Sequence, residues 1–510
     1  ESGTVVRGSD RLTYGELALD AAALPVPQEP RLKDPADFRL LGTPQRLIDT
    51  EDMVGGKAVY GYDVDLPDLV IASVERSPVP KGSILGYDAD AARAVRDVVD
   101  VIELEPNATG LTNAGVAVLA TNTWAAMRGR EALGTRWEPG PLATESTEDR
   151  RAKLEEIVSR SGTVARVEGD YDAAAAEADR VIEASYYAPY AVHAMMEPPV
   201  ATARVDDDRC EVWSSTQAPQ WTAREVATAL RIPPGNVAVH VPLVGGAFGR
   251  KSKPDYAVEA ALLARESGRP VKVAFTREDE IRHAFYHPES YQLLRATVDA
   301  GGNLTGWMHR SAFPAIGWGF PEGGATPSGQ ERTLGLTTMP YRFPSVRIEV
   351  GKVPSSLRIG WMRSVCNIFH ARAVQCFMDE VAHELDRDPV EFHMAMLGEP
   401  RILNLDGSED VTAYETDTPD FPYDTGRLKA VGEAAAEMAG WGRSLPERHG
   451  LGFAMHYSFY SYVGMVAHVS VSPEGELTVQ RVDCALDCGP VVNTDAVVAQ
   501  IQGAVAMGLT

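Results

Sequence analysis

Short apolar runs bounded by glycine, proline or aspartate alternate along this chain with segments whose apolar positions recur at helical spacing. Between residues 38 and 137 the runs "KAVYGYDV", "DLVIASVER", "VVDVIEL" and "GVAVLA" read as strands, and "DADAARAVRD" and "NTWAAMRGREAL" as helices, which makes a small α+β unit. Residues 1–37 hold one helical pattern, "LTYGELALDAAAL", and a proline-rich connector, and read as a lead-in linker. After the polar stretch "EPGPLATESTEDRR" a larger α/β region is expected over 138–510, divisible near 320/321. There the strand "RCEVWSSTQAPQ" leads to the helix "TAREVATALRI", and "VAVHVPLV" enters a glycine-rich loop. The helix "DYAVEAALLARESG" is stopped by Gly268-Arg269-Pro270. Val374, Phe377, Met378, Val381 and Leu385 mark a long helix; Asp388 as N-cap, Pro389 at the first position and Glu391 closing a capping box restart one. A late hairpin turns at Pro473-Glu474-Gly475.

Composition narrows the function classes. With 510 residues, several domains are expected. A net charge of −24 argues against a nucleic-acid or anionic-membrane surface, which needs clustered Lys and Arg. No apolar run is long enough for a membrane span. The chain opens without Met and closes inside a helix-like apolar run, so a processed or partial chain is expected. Five cysteines form no C-x-x-C pair, so an iron–sulfur or zinc site from this chain is not expected.

The segment "LVGGAFGRKS" (243–252) is a near-match to a phosphate loop, with Gly245, Lys251 and Ser252 in place but Arg250 where the closing glycine belongs. It therefore reads as a different glycine loop, set between a strand and a helix where backbone N–H groups can face a ligand. Serine-hydrolase, H-E-x-x-H and dinucleotide G-x-G-x-x-G motifs are absent. Four segments remain: "HAMMEP" (193–198) with Glu197 in an apolar run, "STQAPQ" (215–220) with the Gln217 carboxamide at a strand's end, "GGAFGRK" (245–251) with Phe248 among glycines, and "RIGWMRSVCN" (358–367) with Arg363 beside Ser364.

Taken together and in this order, these motifs resemble the molybdenum-binding subunit of the xanthine dehydrogenase/aldehyde oxidase family, of the isoquinoline 1-oxidoreductase beta-subunit type. "AVYGYDVDLPDLVIASVERSP", "HARAVQCFMDEVAHELDRDPVEFHMAML" and "DCGPVVNTDAVVAQIQGAVAMGL" extend the resemblance over nearly the whole chain. It implies a hammerhead-like domain over 38–137 and a molybdopterin-binding-like region over 138–510. It further implies a molybdopterin cytosine dinucleotide carrying Mo, with no metal ligand from the protein, and oxidation of an aldehyde or of a carbon beside a ring nitrogen with water-derived oxygen. By the same resemblance Gln217, Phe248 and Arg363 are the catalytic positions. Gly245, Gly246, Ala247, Phe248, Gly249, Arg363, Ser364 and Met507 line the cofactor. The implied partners are a two-iron two-sulfur subunit, a cytochrome beyond it, and companion chains supplying the family's G-E-P-G base motif and G-Q-G segment, neither of which occurs here. Export to the periplasm or a membrane-associated location is common among proteins of this type, and a cytoplasmic location stays open. Without the base motif, two other classes stay open: a cofactor-free hydrolase activated by chain cleavage, and a non-catalytic subunit. Substrate choice is expected to depend on loops such as 312–324, "AFPAIGWGFPEGG".

Overall fold

The computed structural model describes residues 3–106, 110–140, 142–319, 324–355, 357–403 and 421–509. They form two compact units, one of 1–47 with 490–510, the other of 48–489. In the smaller unit, strands Thr4–Arg7 and Asp10–Thr13 pair as a hairpin that the sequence pattern does not announce. Thr13 and Glu16 close a capping box on the helix Tyr14–Ala22. Gln45 and Asn493 exchange two hydrogen bonds at the start of the last helix, Thr494–Leu509. Among the described residues no helix is long and apolar enough to cross a membrane.

The larger unit is organised around a seven-stranded mixed sheet. Its order is Val237–His240, Arg209–Ser214, Val200–Asp206, Val271–Ala274, Val70–Arg76, Gly115–Ala120 and Val98–Leu104. Val70–Arg76 runs parallel to Val271–Ala274, so strands from either side of residue 137 share one sheet and one core. The helix Asp255–Ser267 is buried nearly all round, as its alanine-rich sequence allows, and ends at Gly268 in the left-handed region, as anticipated. Its two buried carboxylates meet buried arginines: Glu259 accepts from Arg76 Nε at 3.1 Å, and Asp255 takes Arg250 in a two-pronged pair at 2.8 and 2.7 Å.

A second sheet of five strands runs Thr163–Glu168, Ser345–Gly351, Leu304–Ala312, Ser290–Val298, Arg180–Ala188. The long helix Asn367–Glu384 lays Ala373, Val374, Phe377, Met378 and Val381 into its core, with Trp307 against Phe343 and Phe377. Asp388 caps the helix Pro389–Leu397 by accepting the Glu391 N–H, but the Glu391 side chain does not return to the Asp388 N–H, so the anticipated capping box does not close. The hairpin Ser461–Val471 and Leu477–Asp487 turns where anticipated, with Gly475 at φ +90°.

One anticipated strand does not form. In "KAVYGYDV" the chain makes a 3₁₀ turn over Gly61–Asp63 and a single bridge from Tyr60 to Leu243. The Gly61 N–H goes to the Glu197 carboxylate at 2.8 Å instead of to a neighbouring strand.

Candidate functional site

Strands Arg209–Ser214 and Val237–His240 are parallel, so the loops leaving them emerge on the same side of the sheet. Ala201 lies opposite Ser214, which places the start of Val200–Asp206, and "HAMMEP" before it, at that same end. Carboxyl ends of parallel strands are where open α/β sheets present ligand-binding loops.

The glycine loop is fastened by Glu197 and Lys251. One oxygen of Glu197 accepts from the Gly61 N–H at 2.8 Å. The other accepts from the Gly245 N–H at 3.1 Å and from the Lys251 ammonium. Lys251 is fully buried and also donates to Ser215 Oγ at 3.2 Å. Burial lowers its pKa from the usual lysine value, with Glu197 opposing. Its carbonyl accepts from the Gln217 N–H at 3.0 Å and the Thr216 hydroxyl at 3.0 Å. The phosphate-loop resemblance is thereby settled: this lysine is locked inside the protein and Arg250 is tied to Asp255. Gly245 abuts Glu197 so closely that an added Cβ would lie 2.5 Å from the glutamate Cβ.

The loop brings together most of the anticipated site residues. Gly249, at φ +105°, donates its N–H to Gln217 Oε1 at 3.0 Å. Phe248 accepts the Arg363 N–H on its carbonyl at 3.0 Å. Gln217, Phe248 and Arg363 are therefore joined through two hydrogen bonds and one peptide unit. Because Oε1 is occupied by Gly249, the Gln217 amide is oriented with its NH₂ outward, on an exposed side chain with no protein partner for that donor among the described residues. Phe248 is 39% exposed as a residue. Ala247 faces inward, its carbonyl closing a turn with the Arg250 N–H.

The backbone here sits in an unfavourable region at four non-glycine residues: Ala194 (φ +47°), Phe248 (+53°), Ser364 (+71°) and Val365 (+48°). Val365 is β-branched, for which positive φ is a genuine outlier. The Val365 carbonyl is held by His287 Nε2 at 3.0 Å and its N–H by Met362 O at 2.7 Å. His193 donates from Nε2 to the Trp361 carbonyl at 2.6 Å, and that carbonyl lies so near Gly249 that an added Cβ would come within 2.1 Å. Burial pushes His193 down to about 4, so the ring is neutral at physiological pH.

Sequence reading noted Lys251 only as the lysine of a near-match to a phosphate loop and Glu197 only as a carboxylate among apolar residues, and it did not single out Lys253, His193, Trp221 or Trp361. The signal available was proximity to the glycine loop. Met507 lies on Thr494–Leu509 in the other unit. Residues 320–323 of the loop 312–324 lie outside the described residues.

Two family models described as molybdopterin cofactor-binding domains match residues 155–397 and 408–510. The chain is 29% identical to the beta-subunit of isoquinoline 1-oxidoreductase from Brevundimonas diminuta over 94% of its own length and 59% of that protein. It is 27% identical to a membrane-bound aldehyde dehydrogenase [pyrroloquinoline-quinone] of Gluconacetobacter polyoxogenes, covering 100% of this chain and 67% of that one. With a subunit of nicotinate dehydrogenase from Pseudomonas putida the identity is 26%, over 99% of this chain and 42% of that one. Among solved structures, aldehyde oxidoreductase from Desulfovibrio gigas shares the fold with a TM-score of 0.61 at 19% identity, over 88% of this chain and 53% of that one. Quinoline 2-oxidoreductase from Pseudomonas putida 86 does so at 0.60 and 18%, over 86% and 62%. The two matching models define a molybdopterin cofactor-binding protein. Within that class, the chain belongs to the molybdenum-binding subunits of the xanthine dehydrogenase/aldehyde oxidase family. It spans between 42% and 67% of the length of the three relatives named.

Proposed function

We propose that this chain is the cofactor-facing part of a molybdenum hydroxylase that oxidises an aldehyde or an N-heteroaromatic substrate. The observation that carries the reading is the Gln217 carboxamide, pinned through Oε1 to the glycine loop with its donor NH₂ outward, in one hydrogen-bonded chain with Phe248 and Arg363. These residues fit the implied group: Gly245 and Gly249 let the loop pack tightly on Glu197 and the Trp361 carbonyl, which fixes it beside Gln217, and an exposed amide donor unpaired among the described residues suits an anionic or oxo-bearing ligand. Molybdopterin, in its cytosine dinucleotide form, would supply the two-electron oxidation when bound.

The chain's own residues hold and orient. Gln217 donates a hydrogen bond toward the cofactor face, Phe248 offers an apolar surface to the substrate, and Arg363 places a cation to stabilise negative charge as it develops. Gly245, Gly246 and Gly249 let the loop fold close on Glu197, Met195 and Trp361 and so present its backbone beside Gln217, and Ser364 follows Arg363 on the facing arm. Glu197 has both oxygens engaged and is not free to serve as the base. That base comes from a segment carrying the G-E-P-G motif. A two-iron two-sulfur subunit takes up the electrons, with a cytochrome as a further acceptor, and the complex is exported.

Among the described residues a hydrolase reading finds one serine–lysine contact, Ser215 with Lys251, but both are fully buried and the lysine is paired to Glu197. The test is metal analysis of the purified complex alongside turnover. Molybdenum near one per complex is expected, together with aldehyde or N-heterocycle oxidation. A metal-free complex, or one loaded instead with a quinone such as the aldehyde dehydrogenase relative's name carries, would overturn it.

A further inference from the structure

Beneath the glycine loop the Lys253 ammonium is enclosed by three rings. Its Nζ lies 4.7 Å from the centroid of Trp361, 5.1 Å from Trp221 and 5.2 Å from Phe285, and the residue is 1% exposed. The two indoles meet edge to face, 6.2 Å apart at 80°. Each belongs to a different arm of the site. Trp221 stands on the first turn of the helix Pro219–Leu230, four residues after Gln217, with its Nε1 tied to Glu225 at 2.8 Å. Trp361 stands two residues before Arg363, with its carbonyl held by His193.

We infer that Lys253 is a positioning residue, a cation clamped between Trp221 and Trp361 that fixes the separation of the Gln217 arm from the Arg363 arm. A desolvated cation over indole faces is among the stronger of such contacts, and Trp is the best ring for it. The lysine itself is anchored, its carbonyl accepting from Arg250 Nη1 at 3.4 Å. Burial and the nearby Arg250 and Arg358 weigh against the charge and Asp255 favours it.

This inference rests on the reading of Gln217 and Arg363 as cofactor-facing groups. The experiment compares the purified complex carrying Lys253→Met, Lys253→Arg or Gln217→Ala with the wild type. Three quantities are followed at pH 6, where Lys253 carries its proton: kcat and KM, thermal midpoint, and the near-UV circular dichroism of the indole pair, defined by the change that Trp221→Phe produces. Lys253→Met is expected to keep or raise the thermal midpoint, lose the indole signal, and lower kcat by about 10- to 100-fold with KM little changed, as a misplacement of about 1 Å does. Lys253→Arg, which keeps a cation on the rings, is expected to restore both signal and kcat. The clamp is overturned if Lys253→Met retains the signal and kcat, if it fails to fold or loses midpoint and kcat together, or if Lys253→Arg behaves like Lys253→Met. If Gln217→Ala also turns over normally, the fault lies in the reading of the site; if only Lys253→Met does, it lies in the clamp.

Discussion

Aromatic residues at positive φ occur in two parts of this molecule, for opposite reasons. Phe459 (φ +48°) and Tyr460 (φ +62°) form the two-residue turn between paired strands His449–Ser458 and Ser461–Val471. A tight hairpin demands that conformation at both central positions, and strand pairing on either side enforces it. Phe248 also stands in a turn, Ala247–Arg250, and Ser364 in one over Met362–Val365, but no paired strands flank either of them. Their backbone is held by contacts reaching across the fold: the Phe248 carbonyl to Arg363, the Val365 carbonyl to His287, the Trp361 carbonyl to His193. Positive φ held by contacts between distant segments, rather than by strand pairing, is gathered where Gln217, Phe248 and Arg363 are linked, which is why the site is proposed there.

The comparison can be broken first at its fastening. Glu197→Ala leaves Lys251 buried without its carboxylate and is expected to destabilise by about 3–5 kcal/mol in denaturant unfolding, with the Lys251→Met partner change recovering part of the loss. Gly249→Ala drives a methyl into the Trp361 carbonyl at a left-handed position, and about 3 kcal/mol is expected, measured the same way. Phe248→Gly should leave stability within about 1 kcal/mol, through relief of strain, yet lower turnover. Tyr460→Gly should change stability by no more than about 1 kcal/mol and leave turnover intact. A Tyr460→Gly variant that lost activity would dissolve the distinction between the two regions.

A pH titration sharpens it further. Burial pulls Lys253 down to about 7, against Asp255 and Glu225, which favour its charge, and with Arg250 and Arg358, which oppose it. The unfolded chain then binds more protons than the folded one from about pH 7 up to the ordinary lysine range, so stability rises with pH across that window. The thermal midpoint of the wild type, relative to Lys253→Met, should climb from about pH 6.5 to 9; a flat difference would place the lysine in a wetter setting than its three rings allow.

Local signals in the sequence carried much of the fold. The glycine stop at 268, the Asp388 cap, the turn at 473–475 and the strands "VVDVIEL" and "GVAVLA" all rest on a few adjacent residues and formed as anticipated. What escaped depends on partners far apart in the chain. The seven-stranded sheet joins Val70–Arg76 to Val271–Ala274, and no local pattern announces a parallel pairing between strands so distant in sequence. Gly61 leaves its expected strand because a carboxylate 136 positions away takes its N–H. The site followed the same division. Gln217, Phe248 and Arg363 were legible as motifs, whereas the Glu197–Lys251 fastening and the ring of indoles around Lys253 exist only in the folded chain.

Everything proposed for the site depends on Gln217 and Arg363 serving one ligand. A double-mutant cycle on turnover of the purified complex measures this directly. Gln217→Ala and Arg363→Ala are each expected to lower kcat by about 10²–10³ with little loss of stability, and the double variant to fall no more than about tenfold below the worse single, because groups acting as a unit do not add. Losses that multiply in full, or wild-type turnover in either single variant, would contradict it.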